Sequence, residues 1–215
     1  MRFSRKIAIG AAGFLVLAVF ACAQEVVDRI VARVDNDIIL LSDVRELANY
    51  QNFVDEKTES DSQILDRLID QWIVRNEAKA ALFPQPSDEE VQRSLARLKR
   101  LFSSPEEYEE RKKQAGLTDE DVMRMQRSQL YLTNYLDSRF RASIQVDEKG
   151  IEDFYKARVI PRAAARGQAP PTLDAARGYI QEALVQRAID EQSNRWLKES
   201  RARVRVEILL DKDAK

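Results

Sequence analysis

β-Branched residues crowd into short stretches near the two ends of this chain, and between them apolar residues recur every three or four positions. That order constrains the fold more than any other feature. Near the N-terminus, Val26 to Val34 and Ile38 to Leu41 flank the turn formers Asp35-Asn36-Asp37, which predicts a short hairpin or bridge. Near the C-terminus, Val204, Val206, Ile208 and Leu210 alternate with polar residues, the pattern of a half-buried strand. An isolated strand leaves its backbone groups unpaired, so the two terminal segments are expected to pair and close the chain on itself. The fold class is therefore mainly α, with a small β element formed by N-terminal and C-terminal strands.

The helices between are marked by their ends. Ser42 offers a capping hydroxyl with Asp43 in the first turn, so a helix should begin near Asp43. Leu65, Leu68, Ile69, Trp72 and Ile73 share one face of a second helix, which must stop by Phe83 because Pro84 and Pro86 follow. Ser87 and Glu90 form a capping box ahead of Val91, Leu95, Leu98 and Phe102. Ser104-Pro105 starts a short charged helix that Gly116 can end. Thr118 and Asp121 open a long amphipathic run through Val122, Met125, Leu132, Leu136 and Phe140, and Asp147 starts another helix reaching about Arg158. Residues 160–171 hold Pro161, Gly167, Pro170 and Pro171 with no single period, which reads as a linker. Thr172 caps a final helix carrying Ile180, Leu184, Trp196 and Leu197.

The first residues set the expected compartment. Arg2, Arg5 and Lys6 precede an apolar run from Ile7 to Phe20 that ends in Ala21-Cys22-Ala23, the pattern of a secretory signal peptide with Ala21 and Ala23 as cleavage determinants. A run from 7 to 20 falls short of the roughly 20 residues an α-helix needs to cross a bilayer. A second reading treats Val19-Phe20-Ala21-Cys22 as a lipobox, with Cys22 lipidated. The expected location is thus periplasmic, or a lipid-anchored envelope protein. Removing the three leader cations from 35 leaves 32 against 36 acids, a net charge of −4 that gives no reason to expect a nucleic-acid partner.

Composition also narrows the chemistry. Cys22 is the one cysteine, so no disulfide can form within the chain. Histidine is absent, which removes the commonest general base and the commonest neutral metal ligand. No catalytic residue, metal site or cofactor is expected. Acidic pairs such as Glu89-Glu90 and Glu106-Glu107 sit where helix first turns and polar faces account for them.

The segment VVDRIVARVDNDIILLSDV at Val26 to Val44 resembles the opening of the mature SurA family of periplasmic chaperones. ILDRLIDQWIV at Ile64 to Val74 is similar to that family's long second helix, and VDEKGIEDFYKAR at Val146 to Arg158 to the helix leading out of its N-terminal region. Trp196 to Leu210 resembles its closing helix and strand. The resemblance implies a trigger-factor-like helical core: signal peptide 1–23, N-terminal chaperone domain 24–159, linker 160–171, and a C-terminal helix and strand 172–215 completing the core. Family members insert parvulin prolyl-isomerase domains where this chain has only that short linker, far less than the ~50 residues of a small domain. The implied activity is ATP-independent holding of unfolded outer-membrane or secreted proteins, without isomerase catalysis.

A holding protein must offer exposed apolar surface. Phe53, Met123, Met125, Tyr131 and Tyr135 are the candidates for that client-binding surface, methionine for its adaptability and the aromatics for their contact area. Ordinary core packing competes for each of them, most strongly for Met125, which lies on the apolar stripe of its helix. Three other functions remain open: an adaptor or assembly subunit, possibly a lipoprotein, that binds one envelope partner; a structural domain of an envelope lipoprotein, with lipid on Cys22; and an isomerase, which the missing domain disfavours.

Overall fold

The computed structural model describes residues 28–210; the expected signal peptide, its cleavage positions Ala21 and Ala23, and Cys22 lie outside that range. Strands β1 (Ile30–Val34) and β2 (Asp37–Leu40) form the antiparallel hairpin read from the sequence. Asp35 takes the left-handed conformation at its turn, with φ of 51°, a geometry aspartate tolerates better than most residues. Its N–H donates to the Arg205 carbonyl at 2.9 Å, and its carboxylate accepts from the Arg205 N–H at 3.0 Å. The turn therefore docks the returning chain. Strand β3 (Val206–Ile208) pairs antiparallel with β1, with Ala32 opposite Ile208 and Val34 opposite Val206. The sheet order is β2-β1-β3, so the expected pairing of the two ends is present.

The described residues are 70% helical. Helices α1 (Leu41–Asp55), α2 (Asp61–Ala80), α3 (Asp88–Lys99), α4 (Pro105–Gln114) and α5 (Asp119–Phe140) follow the hairpin. Ser87, Ser104 and Thr118 each accept a backbone N–H three residues on, at α3, α4 and α5 respectively. Gly116 ends α4 region with φ of 68°. Ser42 does not cap α1 as expected. The helix starts two residues earlier, Ser42 lies inside it, and its N–H and hydroxyl both donate to the Asp28 carboxylate ahead of β1, the former at 3.3 Å. Asp43 instead accepts from the Leu40 N–H at 2.8 Å. A residue from outside the helix thus serves the first-turn donors that helices leave free.

Helix α6 (Glu148–Phe154) opens on Asp147, whose carboxylate accepts from the Gly150 N–H at 2.8 Å. A β-carbon on Gly150 would lie 2.9 Å from that carboxylate, which is why glycine suits this first turn. The expected linker is partly helical. After α6 the backbone widens into a π-helical turn at Tyr155–Val159 and continues as α7 (Ile160–Ala164). Pro161 has no N–H to give, and the wider turn absorbs the defect: the Ile160 N–H reaches back five residues to the Tyr155 carbonyl. Gly167, with φ of 65°, then ends the helical course before Thr172 caps α8 (Leu173–Arg201).

Three apolar clusters hold these elements. The main core joins β1, α1, α2 and α5 to Trp196 of α8, around Val31, Val34, Val44, Ile64, Leu65 and Ile69. A second lies between the end of α1, α3, α4 and the start of α5, around Phe53, Phe102, Tyr108 and Val122. A third, small one joins α6 to the first half of α8 through Ile151, Ala176 and Ile180. Helix α8 therefore belongs to two regions: its second half closes the main core, and its first half extends with α6 and α7 as an arm. Arg141, just after α5, ties the arm back by pairing with both Asp137 at 2.7 Å and Glu182 of α8 at 2.8 Å.

Candidate functional site

The aromatic residues expected on an exposed surface are largely inside. Phe53 is 1% exposed. Its ring stacks on Phe102 at 5.1 Å between centroids and meets the Tyr108 edge at 5.4 Å. Tyr131 and Tyr135 are buried in the main core, where Phe83 lies against both rings at 5.9 and 5.5 Å. Their hydroxyls are used internally: that of Tyr131 donates to the Phe83 carbonyl at 3.4 Å, and that of Tyr135 accepts from Arg139 at 3.0 Å. Met125 packs against both the main and the second core. Met123 is half-buried and joins none of the three clusters. The surface expected at Phe53, Tyr131 and Tyr135 is thus core, because α2, α3 and α4 cover the helix faces that carry them.

Exposed apolar character is found on the arm. A groove of about 1050 Å³ runs between the π-helical turn and α7 on one side and the first half of α8 on the other. Phe154, Val159, Pro161, Ala163, Pro171 and Ala176 contribute to its apolar lining. Tyr179 of α8 stands in it 60% exposed. The space exists because the third cluster is small. Alanines 157, 163, 175, 176 and 183 bring no bulk to the surfaces that face each other, so α7 and α8 do not fill the gap between them. The Tyr155 hydroxyl donates to the Pro171 carbonyl at 2.6 Å and fixes the returning segment across one end.

Arginines form the rim. Arg158, Arg162 and Arg166 come from the π-helical turn, α7 and the residues after it, and Arg187 from α8. Spacing of four residues places the first three along one side of the helical course. The sequence carries the signal, since no Asp or Glu occurs between Asp153 and Asp174. Prolines in the same stretch mask it, because they break the helical period that would place the arginines on one face.

Elsewhere on the arm, Lys156 and Arg177 are matched by carboxylates. Arg177 pairs with Glu148 at 2.6 Å, which holds the Glu148 carboxyl below its usual range. Glu182 is likewise held low by its hydrogen bond from Arg141. Among the described residues no group of three or more His, Cys, Asp or Glu side chains is placed to hold a metal ion. No helix among them is long and apolar enough to cross a membrane. What the groove offers chemically is non-covalent: an apolar floor and guanidinium donors at its edge. Comparison with protein-family models gives no match, and comparison with curated proteins gives none either.

Proposed function

We propose that this protein is a noncatalytic, ATP-independent holder of unfolded or extended polypeptides in the bacterial envelope, akin to the client-binding core of the SurA chaperones. The observation that carries the reading is the arm groove, an apolar recess of about 1050 Å³ with Tyr179 exposed within it. That volume lies just above the roughly 300–1000 Å³ of small-molecule sites, and the groove is open to solvent rather than closed over a ligand. Single apolar side chains of an extended chain can enter it and leave, so holding needs no energy source. The strand-helix-strand plan and the motifs at Val26 to Val44 and Trp196 to Leu210 support the likeness to SurA. The signal-like N-terminus supports export, and outer-membrane or secreted proteins are the clients that location would supply.

The test is aggregation of a chemically denatured client, followed by light scattering with and without the purified protein. Suppression at an equimolar ratio is expected, and Ala175→Trp, which places a large ring in the groove from an exposed position, should weaken it. Absence of suppression by the unaltered protein would sink the holding reading. Full suppression by Ala175→Trp would move the binding surface away from the arm.

A further inference from the structure

We propose that the arm groove selects polypeptide segments in which apolar side chains are flanked by aspartate or glutamate; this rests on the reading of the groove as a polypeptide site. Charge complementarity carries the inference. Arg158, Arg162 and Arg166 all line the groove, and no carboxylate does. The side chains of these three make no ion pair and no hydrogen bond among the described residues, whereas Arg141, Arg177 and Arg187 of the same region are each matched by a carboxylate within 3.0 Å. Lys156, the other cation of that stretch, is paired with Glu152 at 3.1 Å and is not part of the lining.

An unmatched guanidinium is a fork of donors suited to bidentate capture of a carboxylate. Three of them in a row beside an apolar floor present one chemistry: grease in the middle, negative charge at the edge. The floor also decides against a nucleic acid. Its alanines and prolines give bases little to stack on beyond Tyr179 and Phe154, and stacking platforms are what single strands require. The whole chain carries a net charge of −1 and lacks the strongly basic balance typical of nucleic-acid binders. Repulsion adds to the selectivity, because a lysine-flanked segment would bring like charges to the rim.

The experiment uses the full chain and short fluorescent peptides that share one apolar centre and differ in their flanks: acidic, neutral or lysine. Anisotropy titrations should place the acidic peptide first and the lysine peptide at least about tenfold weaker, since each rim pair at partial exposure changes affinity by roughly two- to fivefold. The acidic preference should shrink at high salt. Combined Arg158→Gln, Arg162→Gln and Arg166→Gln substitutions, on an exposed rim and checked by circular dichroism, should remove the preference while leaving neutral-peptide binding in place.

Equal binding of all three peptides to the unaltered protein overturns the selectivity and leaves the holding reading standing. Binding of no peptide, the neutral one included, overturns the holding reading itself. Tighter, arginine-dependent binding of anionic vesicles or of a single-stranded oligonucleotide than of the acidic peptide overturns the assignment to polypeptide.

Discussion

Phe53→Ala separates a core residue from a binding residue, and its cost follows from the packing around it. The side chain is 1% exposed, stacked on Phe102 and edge-on to Tyr108. Truncating a buried phenylalanine costs about 3–5 kcal/mol through lost transfer energy and the cavity left behind. The two ring contacts, each worth about 0.5–1.5 kcal/mol, put this site at the upper half of that range. Relaxation is limited, because Phe102 and Tyr108 also pack on each other at 5.2 Å, the first held in the connection after α3 and the second in α4. We expect a loss of about 4 kcal/mol in urea unfolding followed by circular dichroism, and a fall in Tm of about 10 °C for a chain of this size. A folded Phe53→Ala protein that loses less than about 1 kcal/mol would refute the closed aromatic cluster. Weakened client holding at unchanged stability would return Phe53 to the binding surface.

Further predictions are local. Gly116→Ala should cost about 1–2 kcal/mol although nothing would touch the added carbon, because the positive φ there disfavours any L side chain. Thr118→Ala removes the hydroxyl that accepts the Asp121 N–H at 3.1 Å and should cost about 1 kcal/mol in the same assay. Asp121 accepts in return from the Thr118 N–H and hydroxyl and from Arg124, and its carboxyl is lowered from 3.8 to about 2. Stability from this group is present above about pH 4 and lost as pH falls toward 2, so Asp121→Asn should flatten the acid limb of the unfolding profile there. Burial already raises Asp70 above its ordinary 3.8, with Arg201 opposing at 3.1 Å. In Arg201→Ala the Asp70 resonance should titrate higher still by NMR; protonation there adds stability that is complete below about pH 3.8 and lost as pH rises through the new value.

The sequence by itself determined the plan of this protein: strands at both ends, helices between, and the residues at which most helices begin. Ser87, Ser104, Thr118, Asp147 and Thr172 all cap where their side chains say they should. Such signals are legible because a cap is satisfied within three residues, by chemistry the local chain supplies alone. Ser42 shows where that reading stops. Its own N–H and hydroxyl donate to Asp28 across the hairpin, and no local pattern announces a partner fourteen residues away.

Only the tertiary structure decided which apolar faces are covered. Phe53, Tyr131 and Tyr135 have the composition of a contact surface, and they are core because α2, α3 and α4 lie over them. The groove was equally hidden. Its lining holds only three large apolar residues, Phe154, Val159 and Tyr179, among alanines and prolines, and its arginines sit in a stretch whose prolines suggest coil. A widened helical turn carries the chain through Pro161, sets Arg158, Arg162 and Arg166 on one side, and leaves a gap that small side chains do not close. Burial is a property of pairs of elements, and a sequence states directly only one member of each pair.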